Sequence, residues 1–176
     1  YNTTGFVPEG LYRVPLGRAR VSRKGNDLTA VATSYMVLES LRAARILEGD
    51  DIQTEVIDVR TLRPLDEGLI LESVRKTGRL LVVDTGWKTG GFGAEIVARI
   101  AEEAFGDLKG PVRRLALPDC PTPTTPALAN KYYPRANQIV MVAREMLGLS
   151  DKDVMEDLPV ESIPLDIPDP DFTGPF

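Results

Sequence analysis

Four short apolar runs, separated by stretches long enough for a helix, constrain the fold of this chain more than any other feature. The runs lie at residues 28–33, 54–58, 80–84 and 112–117. Their Val, Ile and Leu content is typical of parallel strands that are buried on both faces, and helical periodicity fills the stretches between them. Parallel neighbours need crossover connections, which place helices against the sheet. The pattern therefore predicts an α/β domain with three layers, α/β/α.

A fifth strand is predicted at residues 18–23, where polar and apolar residues alternate. Gly25 and Asn26 follow it and form a turn into the run at 28–33. Because the connection is so short, the two strands are expected to run antiparallel. The predicted sheet is mixed and five-stranded, with four parallel strands and one antiparallel edge strand.

Residues that start and stop helices delimit the helical segments. Ser34 is the predicted N-cap of a helix that ends at Gly49, and Asp66 is the predicted N-cap of a helix that runs to residue 77 and ends at Gly78. A third helix opens at a glycine turn and ends at Gly106. A proline-rich loop at 118–126 then precedes a final helix at about residues 134–147.

The chain divides into three segments by composition. Residues 1–17 are predicted to be a linker from a preceding domain, 18–149 the α/β domain, and 150–176 an acidic, proline-rich tail. Between residues 151 and 176 the sequence holds eight acidic residues, one lysine and five prolines. Such a tail is either a solvated flexible segment or an extended arm that lies on a neighbouring subunit. The apolar residues that would anchor an arm are Leu158, Ile163, Leu165, Ile167, Phe172 and Phe176.

Composition excludes several classes of function. The chain has no histidine, which excludes catalytic triads that need one. Its single cysteine, Cys120, excludes an internal disulfide. A net charge of -5 disfavours nucleic acid as a partner. No apolar run reaches the roughly 20 residues that span a bilayer, so no membrane partner is expected. The cysteine usage agrees with a cytoplasmic location, and Cys120 itself is predicted to be an incidental loop thiol.

The glycine turn before the third helix contains Gly90, Gly91 and Gly93. It does not match the dinucleotide fingerprint or the P-loop, and Glu95 in the first helical turn would repel a phosphate. The turn is therefore interpreted as a tight connection that allows close packing, with a phosphate site as the disfavoured alternative. A further hypothesis is a subunit contact made by its neighbours, which are Trp87, Lys88 and Phe92.

Arg60 and Arg63 follow the strand at 54–58, at the edge where α/β sheets place their ligands. They could grip a carboxylate or phosphate, or they could pair with Asp58, Asp66 or the acids of a partner to fix the loop. We expect the structural role. No catalytic, cofactor-binding or metal-binding residue is predicted in this chain.

Two loops carry a family resemblance. Residues 60–66 read Arg-Thr-Leu-Arg-Pro-Leu-Asp, and residues 90–95 read Gly-Gly-Phe-Gly-Ala-Glu. With the segments 72–77, 81–84 and 111–114, this wording resembles the carboxy-terminal, transketolase C-terminal-like domain of the beta subunit of thiamine-diphosphate-dependent 2-oxo acid dehydrogenases. Pyruvate, branched-chain and acetoin dehydrogenases are of this type. The resemblance covers about residues 11–149.

The resemblance implies a mixed five-stranded sheet and a role in assembly. In that family the enzyme oxidatively decarboxylates a 2-oxo acid, and thiamine diphosphate and Mg²⁺ lie between the alpha subunit and the amino-terminal half of the beta subunit. The implied partners are an alpha subunit and a second beta subunit in a heterotetramer, and in several complexes a dihydrolipoyl acyltransferase. Lys109 stands where members often carry an acidic residue that helps to dock the acyltransferase. The fragment alone is expected to bind no cofactor and to be inactive.

Two other functions remain open from the sequence. One is a regulatory module that binds an anion or a nucleotide through Arg60, Arg63 and the glycine turn. The other is the carboxy-terminal domain of a different transketolase-like thiamine-dependent enzyme, which would share the fold but make other products.

Overall fold

A computed structural model describes residues 9–149, apart from the side chains of residues 126, 127 and 130. The predicted tail at 150–176 and the first eight residues of the predicted linker lie outside the described residues. The elements are β1 (Arg20–Arg23), β2 (Leu28–Ala32), α1 (Met36–Leu47), β3 (Thr54–Asp58), α2 (Glu67–Thr77), β4 (Leu80–Trp87), α3 (Phe92–Ala104), β5 (Arg113–Leu117), α4 (Pro126–Tyr132) and α5 (Ala136–Met146). Single 3₁₀ turns follow α1 and α3.

The strands form one mixed sheet in the order β1-β3-β2-β4-β5. β2 pairs in parallel with β3 and β4, β4 pairs in parallel with β5, and β1 pairs antiparallel with β3 at the edge. The predicted fold class, a mixed five-stranded sheet with one antiparallel edge strand, is confirmed.

Two apolar clusters lie on opposite faces of the sheet. On one face, Ala30 and Val83 of the strands pack against α1 and α5. On the other face, Val31 and Val82 pack against α2 and α3. Side chains that alternate along each strand therefore fill two separate cores, which is why β2 is buried at every position. The three-layer architecture follows from this arrangement.

The connection between β1 and β2 differs from the sequence interpretation. The two strands run in opposite directions as predicted, but they are not neighbours, because β3 lies between them. The connection crosses the start of β3, where the backbone N–H groups of Asn26 and Asp27 donate to the carbonyl of Gln53. At Gly25 a Cβ atom would lie 2.3 Å from backbone atoms of Thr54 and Glu55. Gly25 is thus needed for close approach of two backbones and does not form a hairpin turn.

Helix boundaries were predicted better at C-termini than at N-termini. Gly78 ends α2 in the left-handed conformation, with φ +73°, as predicted. The cap predicted for α1 is wrong, because its N-cap residue is Tyr35 and not Ser34. Asp66 is the N-cap residue of α2 as predicted, but its carboxylate forms no capping hydrogen bond and accepts instead from the Ala19 N–H at 3.0 Å. After α1 the left-handed residue is Asp51 rather than Gly49. Helix α4 was missed, because prolines dominate the segment that precedes it.

Within residues 9–149, no helix combines the length and the apolar character needed to cross a bilayer.

Candidate functional site

The carboxyl ends of β2 and β4 lie side by side at the point where the chain connections diverge. From β2, helix α1 leads toward β3, whereas from β4, helix α3 leads toward β5 on the opposite side. In open α/β sheets this divergence leaves a crevice, and ligands bind there. A cavity of about 510 Å³ occupies this position. We call it the carboxyl-edge crevice, and it is lined by Thr33, Ser34, Arg60, Leu62, Asp84, Thr85, Gly86 and Phe92.

Asp84 is the buried acid of the carboxyl-edge crevice, with 8% of its surface exposed. The Thr33 hydroxyl donates to its Oδ1 atom at 2.6 Å. The other oxygen, Oδ2, lies 2.9 Å from the point where residue 86 would carry a Cβ atom, so Gly86 leaves space next to it. None of the ion pairs found within residues 9–149 includes Asp84. Sequence reasoning did not single out this residue.

Arg60 lies at the rim of the crevice and is held by Asp58. Its backbone N–H and its Nε–H donate to the two carboxylate oxygens of Asp58, each at 3.2 Å. Arg60 itself has a left-handed backbone with φ +57°. Of the alternative partners that the sequence left open, Asp58 pairs with Arg60, while Asp66 accepts from the Ala19 N–H. Arg60 therefore enters the crevice with its charge already balanced.

A second cavity, of about 620 Å³, adjoins the crevice between the loop after β3 and the first turns of α3. We call it the loop–helix groove. Leu62 and Phe92 line both cavities, so the two are adjacent. The groove also contains Arg63, whose bond to Pro64 is a cis peptide bond, and Glu95 and Arg99. Arg63 and Phe92, two of the predicted contact residues, thus lie at one surface with Arg60.

Arg99 forms the charged end of the loop–helix groove. It donates to Glu95, one helical turn earlier, and to Glu67 of α2, both at 2.8 Å. These hydrogen bonds and the two negative charges raise the pKa of Arg99 above its ordinary value. Since Glu67 and Arg99 belong to different helices, the pair joins α2 to α3 at the carboxyl edge.

The glycine turn is fixed by contacts within the chain. A Cβ atom on Gly91 would lie 2.0 Å from the carbonyl oxygen of Trp87, which confirms that the turn is a tight connection. The Thr89 N–H donates to Asp119 at 3.2 Å, and the Thr89 hydroxyl donates to the other oxygen of the same carboxylate. Both hydrogen bonds lower the pKa of Asp119, and the bond from the Thr89 hydroxyl contributes more than the bond from its N–H. Asp119 thus occupies the position in which an anionic ligand would meet the turn.

The remaining contact candidates of the turn are exposed. Trp87 ends β4 with 57% of its surface exposed, and Lys88 and Gly90 are also exposed. Arg114 of β5 donates to the Lys88 carbonyl at 2.7 Å, so the turn is tied to its neighbouring strand. The subunit contact predicted for Trp87, Lys88 and Phe92 stays a prediction, and Gly93, the last glycine of the turn, is buried.

Two loop residues have local roles. Cys120 is an exposed free thiol, and its carbonyl accepts from the Tyr132 hydroxyl at 3.0 Å. Lys109 lays its side chain over Gly78 and donates from Nζ to the Thr77 carbonyl at 3.0 Å. Lys109 therefore supplies a hydrogen-bond donor to a carbonyl group at the C-terminus of α2, where a positive charge is also favourable.

Two further buried acids were missed by sequence reasoning. Glu39 of α1 is fully buried, and it accepts from Arg42 at 2.7 Å and from the Ala136 N–H at 2.8 Å. Glu39 thereby caps α5. Burial, and to a lesser extent the charge and hydrogen bond of Glu39, raise the pKa of Tyr35. Glu55 of β3 accepts from Ser73 and Lys76 of α2. A signal was present, because both acids interrupt otherwise apolar stretches.

The described residues do not fit thiamine diphosphate or its metal ion. The N–H of Thr89 in the glycine turn is taken by Asp119, and Glu95 places a negative charge in the first turn of α3. Within residues 9–149, no three potential ligands among aspartate, glutamate, histidine and cysteine lie close enough to hold a metal ion. No step of thiamine chemistry is therefore derived from this chain.

Comparison with known proteins identifies the family. Residues 17–139 match the family "Transketolase, C-terminal domain", and the chain belongs to that family. It is 41% identical to the acetoin:2,6-dichlorophenolindophenol oxidoreductase subunit beta of Cupriavidus necator over 84% of its length, and 40% identical to that of Bacillus subtilis over the same share. It is also 41% identical to a pyruvate dehydrogenase E1 component subunit beta of Staphylococcus aureus over 80% of its length.

The chain spans less than half of these relatives, 44%, 43% and 43% of their lengths respectively. Among solved structures it is similar to a split gene transketolase described as an inactive beta4 tetramer. The TM-score is 0.70 at 31% identity, with 84% of this chain and 46% of that chain covered. The resemblance recognised in the sequence is confirmed.

Proposed function

We propose that this chain is the carboxy-terminal assembly domain of the beta subunit of a thiamine-diphosphate-dependent 2-oxo acid dehydrogenase in the cytoplasm. The observation that carries the proposal is the 40–41% identity, over at least 80% of the chain, to the beta subunits of an acetoin:2,6-dichlorophenolindophenol oxidoreductase and of a pyruvate dehydrogenase E1 component. Catalysis, thiamine diphosphate and Mg²⁺ belong, on this proposal, to the alpha subunit and to the amino-terminal half of the beta subunit.

The exposed apolar residues of the carboxyl edge support a role in assembly. Leu16, Leu62 and Trp87 expose 86%, 53% and 57% of their surfaces. Gly17, next to Leu16, donates its N–H to Thr61, which places Leu16 beside the loop that carries Leu62. Exposed aromatic and aliphatic residues around a groove are typical anchors of protein interfaces. On this proposal a second beta subunit and the alpha subunit cover this edge.

Sedimentation velocity of the 176-residue chain tests self-association. We expect a concentration-dependent dimer, and Leu62→Glu should weaken it by about tenfold or more, because the new charge would be buried without a partner. Phe105→Glu is the matched control, since Phe105 is also exposed but lies at the C-terminus of α3, at the other edge of the sheet. A chain that stays monomeric at every concentration, or an equal effect of Phe105→Glu, would contradict dimerisation through the carboxyl edge.

Calorimetry and a chimeric enzyme test the assignment to the enzyme class. The chain is expected to bind no thiamine diphosphate by itself. Replacing the matching carboxy-terminal segment of the Bacillus subtilis beta subunit with this chain should give an enzyme that assembles with the alpha subunit and reduces 2,6-dichlorophenolindophenol with acetoin. Saturable binding of thiamine diphosphate to the isolated chain would count against the proposal.

A second candidate is the carboxy-terminal part of a transketolase, and the similarity to a split gene transketolase favours it. The identity to that protein is 31%, lower than the 40–41% found for the dehydrogenase beta subunits. Co-expression with the amino-terminal part of a split transketolase separates the two candidates. Transketolase activity in that mixture would support the second candidate.

The regulatory anion-binding module is less well supported, because Asp58 and Asp119 occupy the groups that would hold an anion. Titration with phosphate and ATP tests it, and saturable binding that Arg60→Ala abolishes would establish it. Docking of an acyltransferase is also a separate proposal. Co-sedimentation with a dihydrolipoyl acyltransferase tests that proposal, and Lys109→Glu should strengthen binding if the acidic residue found in other members matters here.

A further inference from the structure

The carboxyl-edge crevice contains a mostly buried carboxyl group, Asp84, which forms no ion pair within residues 9–149, although Arg60 also lines the crevice. Asp84 is more than nine-tenths buried, and its recorded partner is a neutral hydroxyl, that of Thr33. A carboxylate removed from water is costly unless a cation or several hydrogen bonds compensate it. Another acid of this edge, Asp58, is compensated by Arg60. Oδ2 of Asp84 is not among the fully buried polar atoms that lack a partner in residues 9–149, so it is open to the crevice and can accept from a positively charged donor.

The walls of the crevice define what kind of donor fits. Phe92 and Leu62 supply aromatic and aliphatic surface, and Ser34 and Thr85 supply hydroxyl groups. A planar guanidinium can donate to a carboxylate while its face and its aliphatic stem lie against such surfaces. A hydrated metal ion would need more oxygen ligands of high charge, and no suitable cluster of three acids exists within residues 9–149.

The surroundings of the crevice indicate that the donor belongs to a polypeptide. The loop–helix groove lies next to the crevice, and Leu62 and Phe92 line both, so a ligand in the crevice has further apolar surface beside it. Leu62 is half-exposed at the junction. A buried polar centre with an apolar surround is the usual anatomy of a contact that dominates a protein interface.

We propose that the carboxyl-edge crevice is a recognition site for an arginine side chain of another polypeptide, with Asp84 as the acceptor and Phe92 and Leu62 as the walls. The guanidinium donates to Oδ2 of Asp84, which Gly86 leaves accessible. Thr33 holds the other oxygen and sets the orientation of the carboxylate. This site does not depend on the enzyme class proposed above, because it follows from the crevice alone.

Nuclear magnetic resonance of the ¹⁵N-labelled 176-residue chain tests the proposal. The probe is N-acetyl-arginine amide, and the control ligand is N-acetyl-citrulline amide, which has nearly the same shape without the charge. We expect saturable shifts of the Thr85 and Gly86 amides with the arginine probe, and binding of the citrulline probe weaker by about tenfold or more, as for a lost charge-assisted hydrogen bond. Equal affinity for the two probes would overturn the proposal without any variant.

Two variants locate the effect. Asp84→Asn keeps an oxygen for the Thr33 hydroxyl but removes the charge, and it should abolish the preference for arginine over citrulline. Glu72→Gln removes the same charge from an exposed position of α2 and should leave the preference unchanged. An equal loss in Glu72→Gln would show a nonspecific effect of net charge and would refute the site.

Two further titrations distinguish other occupants. Agmatine carries the guanidinium without peptide groups, and we expect it to bind no more tightly than the capped arginine. If agmatine binds more than about tenfold more tightly, the occupant is a small amine and the proposal of a polypeptide partner is wrong. If inorganic phosphate shifts the same amides in place of the arginine probe, the crevice is an anion site formed by Arg60 and the proposal fails.

Discussion

Glu55 and Asp84 are buried acids of the same sheet, but they lie at opposite edges and differ in how they are compensated. Glu55, at the amino edge, is 3% exposed and accepts from Ser73, Lys76 and the Gly25 N–H. Asp84, at the carboxyl edge, is 8% exposed and accepts from Thr33. Glu55 therefore has charged and neutral partners within the chain, whereas Asp84 retains an oxygen that an external ligand can use. In this fold the first edge stabilises the domain and the second is available for recognition.

The satisfied network at the amino edge extends beyond Glu55. The Thr29 hydroxyl shares hydrogen bonds with Ser73 at 2.7 Å and with Thr77 at 2.8 Å. These hydroxyls connect β2 to α2 and lie beside the crossing of the β1–β2 connection. A network in which each member has a partner is rigid, and its disruption leaves buried polar groups unsatisfied.

The largest expected effect concerns the crossing at the amino edge. Gly25→Ala should lower the free energy of unfolding by about 3 kcal/mol, because its Cβ would overlap backbone atoms of β3 that cannot move independently. Urea denaturation measures the change. Gly68→Ala in α2, where a Cβ would meet open space, is the control and should leave stability unchanged or higher. A change below about 0.5 kcal/mol in Gly25→Ala would show that the crossing is not tight.

The next expected effect tests the two acids directly. Glu55→Ala should lower the free energy of unfolding by about 2 kcal/mol, because Ser73 and Gly25 would lose a buried acceptor. Asp84→Ala should cost less than about 1 kcal/mol, since one hydroxyl loses its partner and an unbalanced charge is removed. Urea denaturation measures both changes in the free energy of unfolding, from the shift of the midpoint when the dependence on urea concentration keeps the same slope. Equal losses would remove the distinction between a stabilising edge and a recognition edge.

The smallest expected effect concerns the pKa of Asp119 at the carboxyl edge. Thr89→Val removes the hydroxyl that contributes most to the lowered pKa, so the pKa of Asp119 should rise toward its ordinary value. The group is fully exposed, and the change in stability is correspondingly small. Carboxyl ¹³C titration by nuclear magnetic resonance measures the shift.

The sign of the pH dependence follows from the lowered pKa. A carboxyl group with a lower pKa in the folded state stabilises the fold above its unfolded pKa of about 3.9, and this contribution is lost as the pH falls through the folded value. The difference between wild type and Thr89→Val should therefore be present at neutral pH and disappear in strong acid. A difference that grows on acidification would contradict this linkage.

Much of the fold was predictable because its signals are local. The runs of Val, Ile and Leu predicted the buried strands, and Gly78 predicted the end of α2. The glycine turn and the Arg60–Asp58 pair were also predictable, since they depend on residues close in the chain. The family resemblance came from the same loops.

The candidate site was predictable in part. Arg60 and Arg63 were named from their positions after a strand and Phe92 as a neighbour of the glycine turn, and they lie around two adjacent cavities. Asp84 was not named, because a single acid at the end of a strand is unremarkable until its partners are known. The role of Asp66 was misassigned for a related reason, since the Ala19 N–H that binds it is 47 residues away.

The sequence by itself determined the layers, the parallel strands and the family of this protein, because periodicity and loop wording are properties of contiguous residues. Only the tertiary structure decided that β3 lies between β1 and β2 and that Glu39 caps a helix whose first residue is 97 positions further along. It also decided that Asp84 lies in a crevice with Thr33 as its recorded hydrogen-bond partner. The physical reason is that these features depend on which distant backbone or side-chain groups meet. These long-range contacts are fixed by hydrogen bonds and burial across the sheet, and no local sequence pattern predicts them.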